Sequence, residues 1–487
     1  MGIISTSFAG DFRDGRTSSR MASSHHQIGR GRFMDIIKRA PDFTKLFPTQ
    51  ESFKRAHGDV VAMSDAMLSG DVKASIKALR EAADPATLNK AQKTFNMRAF
   101  AHELLRTSQF ETVSSCEGRI ANILITVPST ERGTISARNE RHYRRLISLM
   151  GGNRTYTILC RPSHIGAIRT WFASIADVQL NFAYSPRFDY SIWAQDAYVA
   201  LSGKAGQSLL IEGVCFPRFD DMTIADDLSA QTAISLIQSY LYFQGGNVLT
   251  SCDQVLIGLD YVWKNITRFG LATQQDVEHE FEAVFGRSVL SLGSDMSSDT
   301  YAYDLFRQGI FSGYGNQPLF HIDMFVTPTG IRGDSGKEIV LMGRPSATQE
   351  VLGRYCEVSG VDGARIDRYF EPTEQLLSAH YEVRHLPICL TQGDLGGHAA
   401  QDYYWLTFNN VIHEEHGAGD KRVYMTTYSE DAALFGTDRA LRQDLEDAAA
   451  SVYESLGFTV LRMDGLEELA YGLGSVHCIT KELYRIG

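Results

Sequence analysis

The sequence lacks the features that would mark a membrane or nucleic-acid protein. Among its 487 residues no uninterrupted apolar run reaches the ~18 that a membrane-spanning helix needs. The first residues, MGIISTSFAG, have no apolar core of the kind found in secretory signals. Acidic residues outnumber basic ones 58 to 47, for a net charge of −11, so the Lys and Arg surplus that binds phosphate backbones is missing. We therefore expect neither a membrane nor a nucleic acid as partner.

Cysteine is scarce, with seven residues and no C-x-x-C pair. This scatter disfavours both a four-cysteine structural zinc site and a disulfide framework. It predicts a reducing compartment, the cytoplasm. A functional cysteine must then be identified by its neighbours rather than by its spacing.

Nucleotide-binding and common hydrolase motifs are also missing. No G-x-G-x-x-G follows a strand pattern, and G-x-x-x-x-G-K-[ST], H-E-x-x-H and G-x-S-x-G do not occur. The sequence gives no reason to expect a nucleotide cofactor or a metalloprotease.

Three regions follow one another along the chain. Residues 1–34 are polar and predict a flexible arm, and the apolar spacing within 35–115 predicts a helical region. From 116 to 487, strand and helix patterns alternate in one catalytic domain of the α/β class. Many strands come in pairs joined by short turns, which favours repeated ββαβ-type units over a doubly wound parallel sheet.

Two segments place polar residues at apolar strand patterns. In SIWAQDAYVAL, alternation along a strand would put Asp196 on the face opposite to Trp193 and Gln195. A carboxylate in such surroundings needs a cationic or hydrogen-bonded partner, although an aspartate that caps a turn is an equally good interpretation. In FQGGNVLTS, the run Gly245–Asn247 indicates a turn or bulge that allows close backbone approach.

Two later segments supply a proton carrier and a thiol. In FHIDMFV, a strand would project His321 and Asp323 from one face, and a core histidine is the alternative. In YGLGSVHCIT, the glycines would let a substrate approach Cys478. A strand there would turn His477 away from Cys478, so His477 is not expected to act as its base.

Taken together, the four segments offer a thiol, an imidazole and two carboxylates. A thiol with an imidazole proton carrier suits acyl or amidino transfer. Two further carboxylates would repel an oxyanion, but they match the planar N–H donors of a guanidinium. The residues therefore indicate guanidine chemistry.

The order WAQD, GGN, HID and HCIT resembles the guanidine-modifying (pentein) superfamily, which includes agmatine, arginine and peptidylarginine deiminases and the amidinotransferases. The resemblance implies a five-bladed α/β propeller without metal or cofactor. It implies that Cys478 attacks the guanidinium carbon and that His321 protonates the departing ammonia and then activates water. Asp196 and Asp323 would bind the guanidinium nitrogens.

Further residues are candidates for substrate contact. Trp193 and Asn247 belong to the motifs, and Arg344 in LMGRP would meet a substrate carboxylate or carbonyl, or else lie on the surface at a strand end. The run FNNVIHEEH would line the pocket rim or form a β-hairpin.

The motifs leave the substrate and the acceptor open. Agmatine deiminases usually carry Arg at the position of Gln195; the Gln-Asp pair is similar to animal peptidylarginine deiminases, and HCIT to agmatine deiminases. We expect a deiminase acting on arginine, agmatine or an arginyl side chain. An amidinotransferase, a dihydrolase and a non-catalytic binding protein are the alternatives, and a homo-oligomer stays open.

Overall fold

The fold is described from a computed structural model. It covers Leu105 and residues 110–130, 132–184, 190–203, 207–213, 221–239, 241–266, 273–356, 358, 360–393, 402–417, 419–428, 439–466, 469–470 and 473–487. The predicted arm 1–34 and most of the predicted helical region 35–115 lie outside these residues. Phe110–Thr112, within that region, is a strand and not a helix, because its backbone pairs with another strand.

The described residues contain eighteen strands. In chain order they are β1 Phe110–Thr112, β2 Arg119–Val127, β3 Arg154–Cys160, β4 Val178–Ala183, β5 Tyr198–Gly203, β6 Ser208–Glu212, β7 Ser235–Gln238, β8 Val248–Thr250, β9 Val255–Gly258, β10 Val289–Leu292, β11 Val326–Arg332, β12 Glu338–Arg344, β13 Glu382–Gly393, β14 Asp402–Thr407, β15 Ile412–Glu415, β16 Lys421–Thr426, β17 Phe458–Met463 and β18 Thr480–Ile486.

Ten α-helices connect or cover these strands in the described part of the chain. They are α1 Ala137–Met150, α2 Ile165–Trp171, α3 Ile224–Gln231, α4 Leu259–Ile266, α5 Gln274–Phe285, α6 Thr300–Arg307, α7 Pro345–Leu352, α8 Gly363–Asp367, α9 Glu371–His380 and α10 Arg439–Ser455. Helix α5 shows why a helix begins where it does: Thr273 and Asp276 form a reciprocal capping box that satisfies two backbone N–H groups.

The described strands form five small sheets, ordered β1-β5-β6-β7, β10-β9-β8, β11-β12-β13-β14, β15-β16-β17 and β18-β2-β3-β4. Each sheet contains an antiparallel pair followed, across one or more helices, by a parallel strand: β5-β6-β7, β8-β9-β10, β11-β12-β13, β15-β16-β17 and β18-β2-β3. The predicted α/β class and the ββαβ order of the units are thus confirmed, whereas the propeller stays a prediction.

The last of these sheets joins the C-terminal strand to strands from the first part of the described chain. Strand β18, the C-terminal strand, pairs antiparallel with β2 near the start of the catalytic region. This sheet is joined to the β15-β16-β17 sheet by a fully buried ion pair, in which Arg154 Nη2 lies 2.9 Å from Glu414 Oε1. Glu414 lies in β15, which pairs antiparallel with β16, so the second half of FNNVIHEEH forms the β-hairpin that the sequence leaves open.

Two further features bear on the expected location. Cys356 and Cys389 form a disulfide, which the scattered cysteine spacing does not predict. Among the described helices none is both long and apolar enough to cross a bilayer. A cytoplasmic location stays a prediction.

Candidate active site

The four motifs, and one further segment, occupy the same position in the five units. Each lies directly before the first strand of its unit, and we call these stretches the lead-in segments. They are residues 191–197 before β5, 243–247 before β8, 320–325 before β11, 408–411 before β15 and 474–479 before β18. Because all five precede equivalent strands, the fold places residues that are far apart in sequence at equivalent points.

Hydrogen bonds join the lead-in segments, or the strands directly after them, into a closed ring. Each bond runs from one unit to the next: Gly245 N to Asp196 O (2.8 Å), Ile322 N to Asn247 Oδ1 (2.9 Å), Thr327 Oγ1 to Asn409 O (2.8 Å), His477 N to Asn410 Oδ1 (3.1 Å) and Gln195 N to Cys478 O (3.2 Å). The ring brings Asp196, His321, Asp323 and Cys478 together, and their catalytic roles stay a prediction.

The local structure of these segments differs from the expected strands. Residues 191–197 form turns, and β5 begins only at Tyr198. Ile322–Met324 is a 3₁₀ helix with His321 at its N-cap. Alternation along a strand is therefore the wrong guide to which side chains meet, since turns and 3₁₀ geometry redirect successive side chains.

Cys478 lies at the centre of the site and is only 3% exposed. Its Sγ accepts a hydrogen bond from Asn410 Nδ2 at 3.1 Å and donates one to Asp323 Oδ2 at 3.6 Å. Asn410 Oδ1 also accepts from the backbone N–H of Cys478 at 3.3 Å. One buried amide thus fixes both the sulfur and the backbone that carries it.

His477 is part of the site, contrary to the expectation that it faces away. Its Nδ1 lies 2.7 Å from Asp323 Oδ2, and its Nε2 lies 3.4 Å from Gln195 Nε2. The strand argument fails because residues 476–479 form a turn and β18 begins only at Thr480. The structure thus adds a second histidine that strand alternation misses.

His321 lies against a glycine and a carboxylate. Its Nδ1 is 3.7 Å from Asp196 Oδ1, and its Nε2 is 2.8 Å from Gln244 Oε1. A Cβ on Gly246 would lie 2.3 Å from His321 Nδ1, so only glycine leaves room for the ring. The GGN motif therefore serves to seat the imidazole.

Asn247 and Trp193 line the same region through structural contacts. Asn247 Oδ1 accepts from Gln317 Nε2 at 3.0 Å as well as from the backbone of Ile322. The Trp193 ring packs so closely against Gly474 that a Cβ there would lie 2.4 Å from Cζ3 of the indole. Their proposed contact with substrate stays a prediction.

Arg344 is neither a surface residue nor available to a substrate carboxylate. Its guanidinium is buried and forms ion pairs with Asp367, at 2.6 Å, and with Glu374. Both expectations for this residue are wrong, because helices α8 and α9 supply acidic partners that satisfy it internally.

The surroundings of the site keep the Cys478 thiol protonated. Burial, followed by the negative charges of Asp323 and Asp196, raises the pKa of Cys478 well above its ordinary value. For His477, burial favours the neutral form, but the hydrogen bond to Asp323 and the charge of Glu482 outweigh it and raise the pKa. Burial lowers the pKa of Lys481, in strand β18 three residues after Cys478, to about 8.

Comparison with known proteins gives a fold. No protein-family model and no curated protein matches the sequence. Among solved structures, an agmatine deiminase of Enterococcus faecalis matches with a TM-score of 0.53 and 11% identity, over 78% of this chain and 98% of that one. A structural-genomics target named as a provisional arginine deiminase, from Porphyromonas gingivalis, matches with a TM-score of 0.50 and 16% identity, over 77% and 98%.

The chain shares the fold of the guanidine-modifying pentein enzymes. Another structural-genomics target, named as a provisional agmatine deiminase, matches with a TM-score of 0.53 and 12% identity, over 78% of this chain and 96% of that one. The resemblance that the four motifs indicate is confirmed as a likeness of fold. In this shared fold, each motif lies in a lead-in segment.

Proposed function

We propose that the protein is a hydrolase that converts a guanidino group into a ureido group and ammonia, with Cys478 as nucleophile. The proposal rests chiefly on one observation: a buried thiol lies 3.6 Å from Asp323 and within the field of Asp196. Two carboxylates beside a thiol hinder attack on a neutral carbonyl, because they disfavour the thiolate and repel a developing oxyanion. A cationic substrate is instead attracted by the two carboxylates, and its positive charge favours the thiolate.

Substrate binding would generate the nucleophile. Among the described residues Asp323 Oδ1 is buried without a hydrogen-bond partner, and a guanidinium N–H would satisfy it. The positive charge placed between Asp196 and Asp323 would cancel the field that holds the proton on Cys478. The thiol proton would pass to His321, and the thiolate would form where its electrophile already lies.

The reaction would proceed in two halves. Cys478 Sγ bonds to the guanidinium carbon, His321 gives a proton to the departing nitrogen, and ammonia leaves an amidino group on the sulfur. His321 then takes a proton from water as its oxygen bonds to the same carbon, and the C–S bond breaks to release the ureido product. Its Nε2 contact with Gln244 leaves Nδ1 facing Asp196 and the pocket.

The surrounding geometry supports the same proposal. The closed ring of contacts between five similar sheets supports a five-bladed propeller around the site. The match to an agmatine deiminase structure supports a small cationic guanidino compound as substrate. His477, which contacts Asp323 Oδ2 through its Nδ1, would stabilise the Asp323 carboxylate before substrate arrives.

The decisive experiment incubates the purified protein with arginine, agmatine and an arginyl peptide, and measures ureido product and ammonia. We expect turnover of at least one of them, its loss in Cys478→Ala, and its retention in Cys160→Ala, which removes a buried thiol elsewhere. Turnover that survives Cys478→Ala would refute the mechanism. Ornithine released from arginine only when an amine is added would instead identify an amidinotransferase.

A further inference from the structure

A second cluster of thiols lies outside the active site. Cys116, Cys252 and Glu338 each offer one ligand atom, and these three atoms all lie within 4.8 Å of one another. Cys116 precedes β2, Cys252 lies in the turn between β8 and β9, and Glu338 begins β12. Three sheets therefore contribute one residue each.

We propose that Cys116, Cys252 and Glu338 bind a single divalent transition-metal ion of the zinc type. Thiolate and carboxylate ligands bind zinc at about 2.3 and 2.0–2.2 Å. In a tetrahedral site such bond lengths place a sulfur and an oxygen roughly 3.6 Å apart. Cys116 Sγ and Glu338 Oε1 are already separated by 3.6 Å.

The carboxylate of Glu338 gives an independent reason to expect a cation. Glu338 is completely buried, and among the described residues it has no Lys, Arg or His partner within ion-pair distance. Its two oxygens accept from the backbone N–H groups of Gly330, at 3.0 Å, and Cys252, at 2.8 Å. Buried carboxylates are usually paired or bound to a metal, and backbone donors of this kind orient a metal-binding carboxylate.

The proposed metal site is closely packed around Cys116 and more exposed to solvent at Cys252. A Cβ on Gly330, which has a φ of +69°, would lie 2.9 Å from the carbonyl oxygen of Cys116, so these segments are closely packed. Cys252 is only partly buried, which leaves a path to solvent and a position for water as fourth ligand. Arg287, which is also ion-paired with Glu111, donates to the carbonyl oxygen of Cys252 at 3.2 Å and so fixes the backbone of this turn.

Cobalt absorption tests the site without reference to catalysis. The full-length protein is reduced, stripped with chelator and titrated with Co²⁺ in the absence of oxygen. We expect a thiolate-to-cobalt charge-transfer band that saturates at one ion per chain and disappears when Zn²⁺ is added. Cys252→Ser should abolish the band, whereas Cys160→Ala and Cys478→Ala should keep it.

Glu338→Gln provides a second variant that leaves both thiols in place. It should weaken Co²⁺ binding at least tenfold, because loss of even an outer partner of a metal ligand costs about 10–100-fold. Circular dichroism identifies any variant that fails to fold. The proposal is overturned if the reduced wild type shows no band, if the band persists in Cys252→Ser, or if Cys116 and Cys252 remain joined in a disulfide after reduction.

Discussion

Replacement of Asp323 by Asn should separate the reactivity of the thiol from turnover. The Asp323 oxygen is 3.6 Å from Cys478 Sγ, and at an effective dielectric constant of ~20 two unit charges at that distance repel by roughly 4–5 kcal/mol. The contact with His477 compensates part of this repulsion, since its Nδ1 lies 2.7 Å from the same oxygen. If only a third of the repulsion remains, removing the charge raises the thiolate fraction about tenfold.

The same substitution should reduce catalysis. The Asp323→Asn change keeps the shape of the side chain but removes the charge that binds a guanidinium, and one charge-assisted hydrogen bond contributes ~1.5–3 kcal/mol. We therefore expect kcat/KM for the best substrate to fall by more than about tenfold. In the free enzyme, alkylation of Cys478 at neutral pH should become faster.

Both quantities can be measured on one preparation. Iodoacetamide labelling followed by peptide mass spectrometry gives the rate at Cys478, and release of ureido product gives kcat/KM. Asp304→Asn, which removes an exposed carboxylate on α6, serves as control and should change neither. An unchanged alkylation rate would refute the effect of the Asp323 charge on the Cys478 thiol. An unchanged kcat/KM would refute the contact between Asp323 and the guanidinium.

Three other substitutions test the site and its support. Gly246→Ala should displace the His321 ring, 2.3 Å from the new Cβ, and lower kcat at least about tenfold. The added methyl group should also lower the melting temperature, so kcat is measured on protein that circular dichroism shows to be folded. Gly166→Ala, in open space on α2, is its control. Lys481→Met should stabilise the protein at pH 7 by about 3 kcal/mol, because the pKa of Lys481 in the folded protein, about 8, lies below its ordinary value of 10.5. Urea unfolding should show that this gain vanishes between pH 8 and 10.5, and a difference independent of pH would contradict the lowered pKa. Glu414→Gln should lower the free energy of unfolding by about 3–5 kcal/mol at pH 7. This loss should shrink as the pH falls from 4.5 towards 2, since the ion pair with Arg154 lowers the pKa of the Glu414 carboxyl to about 2. A loss that stays constant in acid unfolding would contradict the lowered pKa.

The class of fold could be predicted because its signals are local. Strand pairs joined by short turns and helices between them are visible as apolar periodicity, and they indicate ββαβ units correctly. The conformation of the lead-in segments could not be predicted in this way. Turns and a 3₁₀ helix at His321 and His477 depend on contacts with other units, which periodicity does not report.

Long-range partners were equally invisible in the sequence. Arg344 meets acidic residues 23 and 30 positions later, and the disulfide joins cysteines 33 positions apart, with no spacing rule that would reveal either. The cluster of Cys116, Cys252 and Glu338 spans more than two hundred residues. Spacing rules detect metal sites built within one supersecondary element, whereas this one is built between sheets.

The repeated unit itself contains information that the motifs alone do not. Asn410 lies two residues before β15, as Asp196 and Cys478 lie two residues before β5 and β18; Asn247 and Asp323 lie one and three residues before β8 and β11. Once the units are aligned on their first strands, a polar residue at that point is expected to face the others. FNNV is the one lead-in segment outside the four motifs, and its Asn410 donates a hydrogen bond to the sulfur of Cys478 at 3.1 Å. Alignment of the units therefore predicts a site residue that family motifs do not name, and it explains the scarcity of local signal: each unit contributes only one or two residues.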